Sequence, residues 1–173
     1  ARDIVGDEPF AVMLPDMLSK GCMKQMVDAY NKVGGNLISV LELPREEVSS
    51  YGVIAPGAKP EGFGGTLTEV KGLVEKPRVE DAPSNLIISG RYILQPDVMR
   101  VLENQEKGAG GEVQLTDAMA QMIGQQPFHA VTFAGRRFDC GSKTGFVEAT
   151  LALALEREDM GAEVRAMAKR LLG

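Results

Sequence analysis

The chain of 173 residues is 44% hydrophobic and 25% charged, an ordinary globular composition with enough length for a domain with its own core. Its formal charge of −5, from 24 acidic against 19 basic side chains, excludes nucleic acid and anionic membrane surfaces as expected partners. No apolar run approaches the roughly 18 residues needed to span a bilayer, no signal peptide is recognisable, and Cys22 and Cys140 fall in no metal-type spacing, which together read as a reduced, cytoplasmic protein.

The chain opens ARDIVGDEPFAVML without an initiator methionine, which reads as a fragment or processed piece. Residues 10–14, FAVML, form a continuously apolar run that suits a buried strand of a parallel or mixed sheet. Met23, Met26, Val27, Tyr30 and Val33 then recur at helical spacing, and Gly34-Gly35 closes that helix. Residues 37–43, LISVLEL, form a second apolar strand, and the order strand, helix, strand marks an α/β fold. YGVIAP gives a short strand, a glycine-rich turn follows over residues 57–65, and TLTEVKGLVEKP alternates as a solvent-facing strand. LIISGRYIL is the next strand, over residues 86–94. Pro96 starts a short helix bearing Val98, Val101 and Leu102, and a loop over residues 107–111 leads to a helix striped by Leu115, Ala118, Met119, Met122 and Ile123. FHAVTF and FDCG supply the last strand pieces, and residues 145–172 are helical twice over, with a break at Gly161. The expected organisation is a domain over residues 1–144 and a helical segment over 145–173 that serves packing or association.

Several strands share a design in which an apolar run turns polar at its end: LPD at Asp16, YG at Gly52, EK at Glu75 and Lys76, and FDCG at Asp139. In open α/β sheets ligands bind beyond the carboxyl ends of strands, so residues distant in sequence can converge there. Alone, Asp16 and Asp139 each read as a turn acid or helix cap. Together they offer oxygen ligands for Mg²⁺, which takes one or two carboxylates and leaves the rest to water and substrate phosphates. Glu75 and Lys76, as strand neighbours, are expected on opposite faces rather than as a simple ion pair, and Pro77 biases Lys76 toward an extended backbone. They read either as a strand terminus or as a hydroxyl acceptor beside a phosphate-binding cation. Gly52 is either a turn glycine or a place where a ligand lies against bare backbone. His129 is the sole histidine, at an alternating strand position that reads as a surface or satisfied side chain, which excludes any mechanism that needs two.

Taken in order, FAVMLPD, SSYGVI, GLVEKP, APSNLIISGRYIL, GEVQLTDAM and FDCGSKTGF resemble the bacterial UTP–glucose-1-phosphate uridylyltransferases, from about Asp7 to the C-terminal helices. Single words are shared by many sugar nucleotidyltransferases, whereas the combination is specific to the uridylyl branch. The resemblance implies a Rossmann-like α/β nucleotidyltransferase fold, a mixed sheet flanked by helices, here incomplete at its N-terminus and followed by C-terminal helices. It implies transfer of UMP from UTP to glucose 1-phosphate, giving UDP-glucose and pyrophosphate with Mg²⁺, by a homo-oligomer (dimer or tetramer). Asp16 and Asp139 match the metal-holding carboxylates, with Lys76 as the third catalytic group. Gly52, Glu75 and Lys76 match glucose and phosphate contacts, and Asn85 and Ile88 line the sugar side.

The departure from the family is an absence: its N-terminal GxGTRxxP loop and PK pair, which wrap the nucleotide phosphates with backbone N–H groups, do not occur in these residues. The chain therefore reads as a C-terminal portion, inactive alone, with a sheet edge and apolar surface left bare. Thymidylyl or guanylyl transfer, or a non-catalytic sugar-phosphate-binding module, are the alternative readings.

Overall fold

The computed structural model describes residues 1–108 and 111–173, so Ala109 and Gly110 of the expected 107–111 loop lie outside the described residues. The elements are α1 (Arg2–Val5), β1 (Phe10–Met13), β2 (Met17–Ser19), α2 (Cys22–Val33), β3 (Asn36–Glu42), β4 (Gly52–Pro56), β5 (Leu67–Glu75), β6 (Leu86–Leu94), α3 (Asp97–Asn104), α4 (Leu115–Met122), β7 (Phe128–Thr132), β8 (Arg137–Asp139), α5 (Lys143–Glu156) and α6 (Gly161–Leu172), with 3₁₀ turns at Arg45–Ser50 and Val79–Asp81. They divide into two compact units. The first is made of residues 1–13 and 21–134, and the second of residues 14–20 and 135–173. The second unit thus begins ahead of the 144/145 division expected from sequence, and it takes in Asp16 and Asp139 together with the tail helices.

In the first unit the strands form a mixed sheet in the order β1-β6-β3-β7-β5-β4, with a further pairing of β6 to β4. Strands β3 and β7 run parallel, and both β1 and β3 are antiparallel to β6, which lies between them. The strand–helix–strand reading of β1, α2 and β3 therefore holds with a third strand interposed. Helix α2 ends as its glycine demands: Gly34 has φ +62° and its N–H donates to the Tyr30 carbonyl at 2.8 Å.

One face of the sheet packs Ile38, Val40, Ile54, Val70, Leu73, Ile88, Phe128 and Ala130 against Val98 of α3 and Ala118, Met119 and Met122 of α4. Burying side chains such as Phe128 and Met119 stabilises the fold by about 1.5–3 kcal/mol each. The other face packs Leu37, Leu67, Ile93 and Val131 against Cys22 and Met26 of α2. Asn36 and the paired serines are satisfied in this interior: Asn36 donates to Gln126 at 2.9 Å and accepts from the Gln95 N–H at 2.9 Å, and the Ser39 and Ser89 hydroxyls pair at 2.7 Å.

Strand β1 lies at one end of the sheet, pairs with β6 and leaves Met13 62% exposed. One strand expectation needs correction: β5 is no solvent-facing strand. It lies between β7 and β4, so Leu67, Thr68, Val70 and Leu73 are all buried.

In the second unit β2 pairs antiparallel with β8, Met17 opposite Asp139, and Phe138 packs with Ala149 and Ala152 of α5. Ser142 caps α5 by accepting the Gly145 N–H at 3.0 Å. Both cysteines are free thiols.

Candidate functional site

Within the first unit, β4 and β5 are antiparallel with Gly52 opposite Glu75, and Val53 pairs with Ile87 of β6. Gly52 thus opens β4 rather than closing a strand, and the antiparallel register sets it beside the end of β5. A Cβ built on Gly52 would lie 2.9 Å from Ile88 Cδ1, 3.0 Å from Glu75 Oε2 and 3.3 Å from Thr116 Oγ1. Bare backbone, a carboxylate, a hydroxyl and an apolar wall therefore meet at one point. The Glu75 side chain is only 13% exposed, an expensive position for a carboxylate unless something pairs with it.

Part of that pairing comes from Lys76, whose Nζ lies 3.8 Å from Glu75 Oε1, and this corrects the expectation of opposite faces and an extended backbone. Strand β5 ends at Glu75, and Lys76 turns to φ +45°, the only non-glycine residue at positive φ among the described residues. Its N–H donates to the Tyr51 carbonyl at 3.1 Å. That bond and the turn override the bias imposed by Pro77, so the lysine folds back toward its neighbour instead of alternating away from it.

Asn85 stands just ahead of β6. Its carbonyl accepts the Leu43 N–H at 3.1 Å, and its side-chain oxygen accepts from Arg45 at 3.4 Å. Thr116, which sequence reasoning passed over, takes the place beside Gly52. It is buried on α4, and the available signal was a hydroxyl residue inside the apolar stripe of that helix.

Within the second unit, the β2–β8 pairing carries Asp16 and Asp139 to a common point. The Cys140 N–H donates to the Asp16 carbonyl at 2.7 Å and extends the ladder. A Cβ on Gly141 would lie 3.1 Å from Asp139 Oδ1 and 3.7 Å from Asp16 Oδ2, so the missing side chain keeps a notch between two carboxylates. Asp139 Oδ1 also accepts the Gly141 N–H at 3.0 Å. Among the described residues no group of three or more His, Cys, Asp or Glu could hold a metal ion. Two hard oxygen donors in a notch instead match a divalent cation that takes its remaining ligands from water and phosphate.

His129 sits in β7 opposite Glu69 of β5. Partial burial pushes its pKa below the ordinary histidine value, against the opposing pull of the Glu69 carboxylate. No helix among the described residues is long and apolar enough to cross a membrane.

The family described as nucleotidyl transferase matches residues 1–156. The chain is 53% identical over 146 residues to a UTP–glucose-1-phosphate uridylyltransferase of Komagataeibacter xylinus, covering 83% of this chain and 50% of that protein. It is 42% identical over 174 residues to the Staphylococcus epidermidis protein of the same name, covering 99% of this chain and 59% of the relative. Among solved structures, the UTP-bound enzyme of Acinetobacter baumannii superposes with a TM-score of 0.84 at 36% identity, covering 99% of this chain and 59% of that one. The chain thus spans about half to three-fifths of the length of the curated relatives it matches. On this match, which extends over most of its residues, the chain belongs to the nucleotidyl transferase family.

Proposed function

We propose that the chain carries the sugar-phosphate part of a UTP–glucose-1-phosphate uridylyltransferase, which transfers UMP from UTP to glucose 1-phosphate and releases pyrophosphate. The observation that carries this reading is the meeting of the Gly52 backbone, Glu75 Oε2 and Thr116 Oγ1 at one point. A hexose offers hydroxyls that donate to a carboxylate and exchange hydrogen bonds with a threonine, and its ring can lie against a residue without a side chain. Lys76 supplies a positive point charge suited to the sugar's phosphate. Ile88 forms an apolar wall, and Asn85, whose side-chain oxygen accepts from Arg45, lines the sugar side with it.

The attacking group is a phosphate oxygen that is already anionic, so no general base is required, and the single histidine has no part in the reaction. Asp16 and Asp139 would hold Mg²⁺, which when bound neutralises charge on the nucleotide phosphates. The chain's own contribution is alignment of the sugar phosphate and a fixed pair of carboxylates. Uridylyl rather than thymidylyl or guanylyl transfer follows from the names of the relatives at 53% and 42% identity. The homo-oligomer and the cytoplasmic setting belong to the same reading. They are supported by the apolar groove between α5 and α6, lined by Phe146, Leu151, Met167 and Leu171, and by the free thiols.

Glu75→Ala in a full-length enzyme carrying this segment tests the assignment. Losing hydrogen bonds to a charged acceptor is expected to weaken glucose 1-phosphate recognition by about 2 kcal/mol, or roughly thirtyfold, and to leave UTP binding unchanged. Equal changes in both Michaelis constants would overturn it.

A further inference from the structure

The segment between β5 and β6, residues 76–85, carries Lys76 at one end and Asn85 at the other. It is tied repeatedly to residues 45–54, the stretch that contains Gly52. At the near end the Lys76 N–H donates to the Tyr51 carbonyl at 3.1 Å, and at the far end Ser84 Oγ donates to the Ile54 carbonyl at 2.6 Å. The rest of the hold comes from Arg45, the first residue of the 3₁₀ turn ahead of β4. Its Nη2 donates to the Ala82 carbonyl at 2.7 Å, and its Nη1 to the Ser84 carbonyl at 3.2 Å and to Asn85 Oδ1 at 3.4 Å. These acceptors are all neutral oxygens, gripped by the rigid fork of a half-buried guanidinium. By contrast, Arg78 pairs with Glu80 and Asp81 inside the segment, which does not fix it to anything else. Ala82 also packs with Val48, Val53 and Ile87, so the fold of this corner does not depend on Arg45 alone.

We propose that Arg45 is a positioning residue of the sugar-phosphate site: its guanidinium pins the end of the β5–β6 segment to the turn that leads into Gly52, and so holds Asn85 in place relative to Glu75 and Lys76. Arginine donates and never accepts, so the bond to Oδ1 also sets the Asn85 amide with its oxygen toward the guanidinium. Nδ2 is then the end that Asn85 offers to a sugar hydroxyl, as a donor, and it complements the Glu75 carboxylate, which accepts. A hexose is thereby read by one donor and one acceptor carried on the two ends of neighbouring strands. This inference deepens the sugar-phosphate reading and rests on it, and its test separates the two.

The test uses a full-length enzyme carrying this segment, with steady-state kinetics for each substrate and hydrogen exchange of residues 79–85. In Arg45→Met, which keeps an unbranched stem but no donor, the Michaelis constant for glucose 1-phosphate is expected to rise by roughly tenfold, the worth of about one hydrogen bond to the sugar. The constant for UTP is expected to stay unchanged, and exchange over residues 79–85 to quicken. Arg45→Gln serves if the methionine variant fails to fold, with the same direction expected. Arg45→Lys, which has the charge without the fork, is expected to recover only part of the loss, and full recovery would overturn the proposal in favour of a charge effect. Asn85→Asp keeps an acceptor for Arg45 but no donor for the sugar. It is expected to raise the glucose 1-phosphate constant with exchange as in the wild type, and an unchanged constant overturns the donor role of the amide. A folded Met or Gln variant with both Michaelis constants unchanged, whether or not kcat falls, marks a structural role and overturns the proposal while leaving the reading of the site intact. A wild-type enzyme indifferent to glucose 1-phosphate overturns that reading itself and the proposal with it.

Discussion

At Lys76 backbone strain and charge coincide. A side chain held at φ +45° costs roughly 1–2 kcal/mol relative to a relaxed backbone, and such positions persist where the surroundings over-determine them. Here the Tyr51 carbonyl holds the N–H, and the ammonium reaches back to a mostly buried Glu75. Replacing Lys76 with glycine is expected to leave the thermal midpoint unchanged or raised, because glycine adopts this conformation freely, while glucose 1-phosphate binding falls. Calorimetric unfolding beside a binding titration checks both, and a lowered midpoint would count against stored strain. The local chemistry of GLVEKP was legible as two opposite charges at a strand end. Its geometry was not, because the bias from Pro77 is local whereas the Tyr51 carbonyl comes from the bend that leads into β4, far along the chain. The same limit explains Thr116, which reaches Gly52 only through the docking of α4.

At the junction of β8 and α5 two small side chains decide whether the helix can dock. Ser142 satisfies the Gly145 N–H, and replacing it with alanine is expected to cost about 1 kcal/mol. A Cβ on Gly145 would collide with the backbone carbonyl of Asp139, which no rotamer change relieves. Gly145→Ala is therefore expected to cost about 1–3 kcal/mol, more than Ser142→Ala, by pushing α5 off β8. Urea unfolding of the two variants, followed by helix content, orders them. Elements of this size follow their sequence patterns closely: Leu86–Leu94 reads as a strand from its apolar run and is one over the same residues. Met17–Ser19 does not, because three residues carry no period and their partner strand lies far along the chain. The 3₁₀ turn at Arg45–Ser50 was likewise hidden, since REEVSS has neither helical nor strand alternation.

Across the molecule, a single imidazole dominates side-chain titration near neutral pH. In the unfolded chain His129 takes up a proton near pH 6.5, whereas burial pushes its folded pKa lower. The unfolded state therefore binds more protons between the two values. The contribution of this group to stability is full above about pH 6.5 and is lost as pH falls through the folded value. Titration of the ring by nuclear magnetic resonance gives the folded pKa directly, and His129→Gln is expected to remove the corresponding slope from a plot of stability against pH. Mixed α/β class and strand order of appearance were readable from apolar runs and glycine stops. The division into units was not, because it depends on residues 14–20 leaving the sheet to join strand β8. That excursion has a bearing on synthesis. Arg137 and Met17 stand 120 positions apart, so a nascent chain emerging from the ribosome exposes Asp16 long before Asp139 exists. The pair comes together only once strand β8 has been made, because β8 is the strand that β2 pairs with.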